Sequence, residues 1–192
     1  MRQKNIFVAL VCASVLMYAM CASKPTRPPP YLDIETFYKQ LGRLWILVTA
    51  TATRQNSTTC KVYDVTKVEN SVVHFGRIFY RKGRRKEKRL EGKLENFEHP
   101  ILKEMMKYKG FMTVTPRGET TFYEYLLYQS RDFNCGVFHV KSGYQHFHEL
   151  RLWNYSAVSA YKECLQNYVY HIQQGDLITM YYNGLCPYIF RN

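Results

Sequence analysis

The residues able to do chemistry in this sequence fall into four sets. Cys60, Cys135, Cys164 and Cys186 follow one another at intervals of 75, 29 and 22 residues. With no C-x-x-C pair they do not read as zinc ligands, whereas an even set of thiols reads as two disulfides with three connectivities open. His146 and His148 share one strand face and could meet His139, but such histidines are more often surface residues, and no metal is expected. Arg81 to Lys93, RKGRRKEKRLEGK, carries eight basic and two acidic residues, a local +6. Glu124, Glu149 and Arg151 sit inside aromatic runs, where a carboxylate and a guanidinium are costly to bury unless they pair. No G-x-S-x-G, P-loop, H-E-x-x-H or dinucleotide-binding glycine pattern occurs, and no cysteine is both free and next to an obvious base. The chain is therefore expected to be no enzyme and to need no cofactor.

These residues need a scaffold, and the chain's ends say where it folds. Residues 1–22 begin with Arg2 and Lys4, continue through an apolar stretch from Ile6 to Met20 and end on small residues, the pattern of a secretory signal peptide. About 15 apolar residues are short for a membrane span, and no second candidate follows. A secreted, extracellular chain is expected, with Cys12 and Cys21 leaving with the signal. The sequons at Asn56 and Asn154 are then candidate glycosylation sites that must face solvent. Residues 23–31 form a Pro-rich leader containing Pro25, Pro28, Pro29 and Pro30, and residues 32–192 suffice for one domain. The chain is 46% hydrophobic and 16% aromatic, too apolar for disorder and rich in strand formers. Its net charge of +12 falls to +10 without Arg2 and Lys4, and Arg81 to Lys93 accounts for +6 of that. So local a charge is not a nucleic-acid footprint. It reads as a solvated loop at a hairpin end, or as a contact for an anionic surface such as a glycosaminoglycan on a cell.

Asp33 is placed to cap a short amphipathic helix carrying Ile34, Phe37, Tyr38 and Leu41. Strands follow at Leu44 to Thr53, Thr59 to Thr66, Val72 to Tyr80, Phe111 to Thr115, Thr120 to Tyr128, Asn134 to Val140 and Gln145 to Trp153, separated by turn residues. Ala157 to Ile172 returns to helical spacing with a stripe of Val158, Tyr161, Leu165, Tyr168, Val169 and Ile172, and Leu177 to Tyr182 makes a closing strand. This order predicts a mainly β fold, an antiparallel up-and-down barrel with a helix packed outside; a β-sandwich is the alternative.

The segments Thr59-Cys60-Lys61-Val62, Asn134-Cys135-Gly136-Val137, Leu152-Trp153 followed by Cys164, and the terminal Cys186 together resemble the tick salivary lipocalins of the histamine-binding type. The resemblance runs from about Asp33 to Cys186. It implies a lipocalin-like eight-stranded barrel with Cys60 paired to Cys186 and Cys135 to Cys164. It also implies capture of a small host molecule, a biogenic amine or a lipid mediator, to suppress inflammatory or immune defence. Some members of that family act instead on host proteins.

Strand alternation puts Phe122, Glu124, Leu126 and Tyr128 on one face, and Phe147, Glu149, Arg151 and Trp153 together on another. The resemblance makes Phe122 and Glu124 ligand contacts. Arg151 stands where those relatives carry an acid, and Ala52 to Thr59 supplies neither the acid nor the aromatic residue they place before the first cysteine. Glu124 is then expected to neutralise Arg151, leaving no net negative site for an amine. An aromatic pocket of Phe122, Glu124, Leu126, Phe147, Arg151 and Trp153 better suits an amphipathic lipid, eicosanoid or sterol. The plainer reading has these side chains simply filling the barrel.

Overall fold

Asp33 starts the described fold as expected: its carboxylate accepts from the Thr36 amide (3.1 Å) and caps helix α1, Ile34–Tyr38. The computed structural model describes residues 32–52, 58–95, 110–154 and 158–191. The expected signal peptide, the Pro-rich leader and Asn56 lie outside the described residues. After α1 come β1 (Gly42–Thr51), β2 (Thr58–Glu69), β3 (Val72–Arg81), β4 (Arg84–Glu95), β5 (Phe111–Val114), β6 (Phe122–Gln129), β7 (Cys135–Ser142) and β8 (Gln145–Trp153). Helix α2 (Val158–His171), β9 (Leu177–Met180) and a 3-10 turn at Cys186–Phe190 end the chain. Each of β2 to β8 pairs antiparallel with its sequence neighbour, and β1 closes the ring against both β8 and β2.

Two parts of this ring differ from the expected one. Arg84 to Glu95 is a barrel strand rather than a loop, joined to β3 by a two-residue turn in which Lys82 (φ 52) and Gly83 (φ 72) both take left-handed conformations. Its hydrophobic signal is confined to Leu90 and Leu94, because one side meets water and its first half projects past the packed interior. Conversely, Leu177 to Met180 does not supply the eighth barrel strand. It lies against the second half of β1, pairing Val48 with Met180 and Thr51 with Leu177. The β1–β2 ladder runs only from Gly42 to Trp45, up to a bulge between Ile46 and Val48. Tyr181 bridges the strands beyond that point: its amide donates to Leu47 (2.8 Å) and its carbonyl accepts from Cys60 (2.6 Å).

The side chains divide into two clusters, one inside the barrel and one between its outer wall, α2 and the C-terminal turn. α1 plugs one end of the inner cluster. Phe37 lies 5.2 Å from Phe138 and 5.7 Å from Trp153, ring centre to ring centre. Gly136 admits it, since a Cβ there would stand 2.9 Å from the Phe37 ring. Outside, Tyr161, Cys164, Leu165 and Tyr168 of α2 and Ile172 just after it pack on the wall, while Val169 of the expected stripe is exposed. Cys60 is joined to Cys186 and Cys135 to Cys164, tying the C-terminal turn to β2 and α2 to β7. Among the described residues no helix is long and apolar enough to cross a membrane.

Replacing Gly136 by Val forces the Phe37 ring out of its seat. G136V should lower the unfolding free energy by about 1–3 kcal/mol, read as a shifted urea midpoint at unchanged slope.

Candidate functional site

β6, β7 and β8 lie side by side, so their inward rows face α1 and β2 across the barrel. Arg151 is at the centre and is fully buried. All five of its N–H groups are used: Nε and Nη2 donate to Glu149 Oε2 (2.9 and 2.6 Å), and Nη1 and Nη2 to Glu124 (2.6 and 2.9 Å). Nη1 also donates to Tyr38 Oη (2.8 Å). Glu124 further accepts from the hydroxyls of Tyr38 (2.7 Å) and Tyr63 (3.1 Å), and Lys61 Nζ donates to Glu149 (2.7 Å). Phe138 and Tyr63 cover the guanidinium at 4.2 and 4.8 Å.

Two cations and two carboxylates thus cancel in a dry interior, where either pair alone would be costly. Burial by itself would raise the Glu149 carboxyl, but Lys61 and Arg151 reverse that and hold it down to about 2. Burial likewise works against the charge of Arg151, and Glu124, Tyr38 and Glu149 more than offset it. Burial, and then the charge of Glu124, raises the Tyr38 and Tyr63 hydroxyls well above their ordinary range, so both stay protonated donors.

Above this layer, on the side away from α1, a cavity of about 170 Å³ opens toward the β3–β4, β5–β6 and β7–β8 turns. Tyr63, Phe122, Val140, Phe147 and Tyr181 give it apolar walls; Lys61, Arg77, Ser142 and Glu149 supply its polar atoms. Of the pocket residues expected from the sequence, Phe122 and Phe147 line the cavity. Glu124 and Arg151 form the layer beneath it, paired as expected. Leu126 and Trp153 are not lining residues; they pack in the inner cluster, Trp153 against α1 at the plugged end.

Tyr128, expected on the inward face, belongs to the outer cluster and donates to Glu163 of α2. A bulge between Leu126 and Tyr128 shifts the alternation by one residue. Lys61, Tyr63 and Arg77 are cavity residues that the sequence reading passed over, although alternation along β2 and β3 carries them. Tyr181 falls within the expected closing strand, but its place in the cavity wall comes from the disulfide-tethered tail. Asn154 is exposed, as a glycan would require.

On the outer wall the histidines form a stack instead of a metal site. His139 Nε2 and His146 Nδ1 share a hydrogen bond (3.0 Å), and the His139 ring also stacks on His148 and Tyr125. No cluster suited to a metal occurs among the described residues. Partial burial, then the neighbouring charges of His148, His146 and Lys141, lowers the His139 pKa to about 4.

No protein-family model matches the sequence, and no curated protein matches it significantly. Solved structures do match the fold. Insecticyanin from the tobacco hornworm Manduca sexta superposes with a TM-score of 0.52 at 15% identity, covering 84% of this chain and 86% of its own. Apocrustacyanin C2 gives 0.53 at 11% identity, covering 81% and 83%, and lobster apocrustacyanin A1 gives 0.52 at 9%, covering 77% and 79%. The fold is that of the lipocalins.

Two outcomes follow from these charges. R151M strands two buried carboxylates with only Lys61 and hydroxyls for company and should lower stability by about 3–5 kcal/mol in denaturant titration. The pH dependence belongs to the outer wall. With a folded pKa near 4 against about 6.5 unfolded, His139 binds its proton more readily in the unfolded chain between those values. Stability should therefore fall as pH drops from about 6.5 to 4, a window in which Glu149 stays ionised. H139Q should flatten part of that slope in thermal melts at stepped pH.

Proposed function

We propose that the chain is a secreted carrier of the tick salivary lipocalin type that sequesters a small amphipathic host ligand, a lipid mediator, eicosanoid or sterol, and so suppresses a host inflammatory or immune response. The observation that carries this reading is the cavity. Aromatic and aliphatic walls end on Arg77, whose buried Nε has no hydrogen-bond partner among the described residues, the arrangement suited to an apolar body with an acidic or hydrogen-bond-accepting head. At about 170 Å³ it is smaller than the usual 300 Å³ or more of a drug-sized site, so it takes a slim body or part of one.

Capture of histamine or serotonin has less support. An amine entering a dry pocket needs a carboxylate to replace its lost hydration. Both oxygens of Glu124 are engaged by Arg151, Tyr38 and Tyr63, and Glu149 is held by Lys61 and Arg151. Lys61, Arg77 and Arg151 against Glu124 and Glu149 leave one net positive charge around the cavity, while Lys88 and Glu119 at the rim cancel each other.

The test is native mass spectrometry of protein secreted from eukaryotic cells, followed by organic extraction. A stoichiometric amphiphile should accompany the wild-type chain and be absent from S142W, whose indole fills the cavity, with an unchanged far-UV circular dichroism spectrum and thermal midpoint in the variant. An empty wild-type protein that also gives no heat with long-chain acids would overturn the reading.

A further inference from the structure

The charges of the β3–β4 hairpin are sorted between its two faces. The pairing Phe75↔Leu90 points into the barrel, so every second pair beyond it shares that face: Arg77↔Lys88, Phe79↔Lys86 and Arg81↔Arg84. This inner row holds five cations and no acid of its own. The outer row of β4 alternates instead, Arg85, Glu87, Arg89, Glu91 and Lys93, with Arg85 and Glu87 paired at 2.8 Å and Arg85 Nε donating to the Ile189 carbonyl (2.9 Å).

The outer row is a balanced solvent face. The inner row sets like charges directly opposite each other at Arg77↔Lys88 and Arg81↔Arg84, an arrangement that destabilises a hairpin unless something negative lies against it. Glu119, in the β5–β6 turn, meets the first of these pairs, accepting from Arg77 (3.0 Å) and bonding Lys88. Burial and the nearby charges of Arg77 and Arg81 lower the Lys88 pKa, which puts Arg81 in the same field. One carboxylate against five cations leaves +4. The row also starts at the cavity, which Arg77 lines, and runs outward past the rim for about 13 Å from Arg77 to Arg81. Nε of Arg77 is buried and has no hydrogen-bond partner among the described residues.

We infer that the barrel-facing row of Arg77, Arg81, Lys86 and Lys88 is an anion site that reads the head group of the barrel's ligand, and that this head is a phosphate-like polyanion. This rests on the carrier reading above and adds the chemistry of the head. A slim tail enters the small cavity, and the head stays outside it, where the hairpin supplies the countercharge. The same sorting argues against the basic segment acting as a general polyanion surface, since its outward face carries acids between its bases.

The test compares decyl phosphate, decanol and decyltrimethylammonium by isothermal titration calorimetry at about 20 mM and about 300 mM salt. The wild-type chain should bind decyl phosphate about ten-fold or more tighter than decanol at low salt, with the gap narrowing at high salt. R81Q/K86Q removes two exposed charges that touch neither the cavity nor the buried ion network. It should weaken decyl phosphate about ten-fold and leave decanol unchanged. R89Q/K93Q, the same charge change on the outer face, should alter neither. Equal binding of decanol and decyl phosphate, or equal losses in the two double variants, would overturn the anion site and leave the carrier reading standing. No binding of any of the three probes would overturn both.

Discussion

The inside of this barrel is organised around one guanidinium. Arg151 engages two carboxylates and a tyrosine hydroxyl from a fully enclosed position, and each of those groups comes from a different part of the chain: Tyr38 from α1, Glu124 from β6, Glu149 from β8. Lys61 of β2 completes the set. The alternating apolar rows already favour one register of these strands, and the ion layer adds a penalty for any other. A slip of one residue in β6 or β8 would turn Glu124 or Arg151 outward and leave its partners charged and unpaired in a dry interior. The ion layer therefore acts as a registration key for the wall and a floor for the cavity, keeping the lower half of the barrel filled and the upper half open.

Much of the fold was legible because the chain alternates cleanly where one wall faces a core. β6 up to Leu126, and β8 throughout, carry their inward and outward rows in the sequence, and the pairing of Glu124 with Arg151 follows from those rows. Legibility ended where the backbone departs from regular pairing. The bulge after Leu126 sends Tyr128 to the outer wall, and the bulge in β1 opens a seam that, among the described residues, the distant C-terminal tail fills. Neither has a local marker. β4 was hidden for another reason: a strand with water on one side and a charged rim on the other looks, by composition alone, like a loop.

The candidate site was legible in part for the same reasons. Phe122 and Phe147 follow from alternation and do line the cavity, while Leu126 and Trp153 share their rows but sit too close to the plugged end. Alternation gives the face of a strand and says nothing of height along the barrel axis. Height is set by α1, whose Phe37 and Tyr38 occupy the end that Trp153 also fills.

The seam at β1 has a consequence for how wide the barrel can be. In a ring closed by an unbroken ladder, circumference is fixed by strand number and stagger, and side chains adjust only the space left within it. Among the described residues, the upper half of the ring is joined through the tail: the backbone of Tyr181, whose ring is also a wall of the cavity, bonds both Leu47 and Cys60, and the bond between Cys60 and Cys186 lies beside it. The mouth thus has a hem instead of a weld: its girth is tailored by a short stretch of tail outside the eight strands.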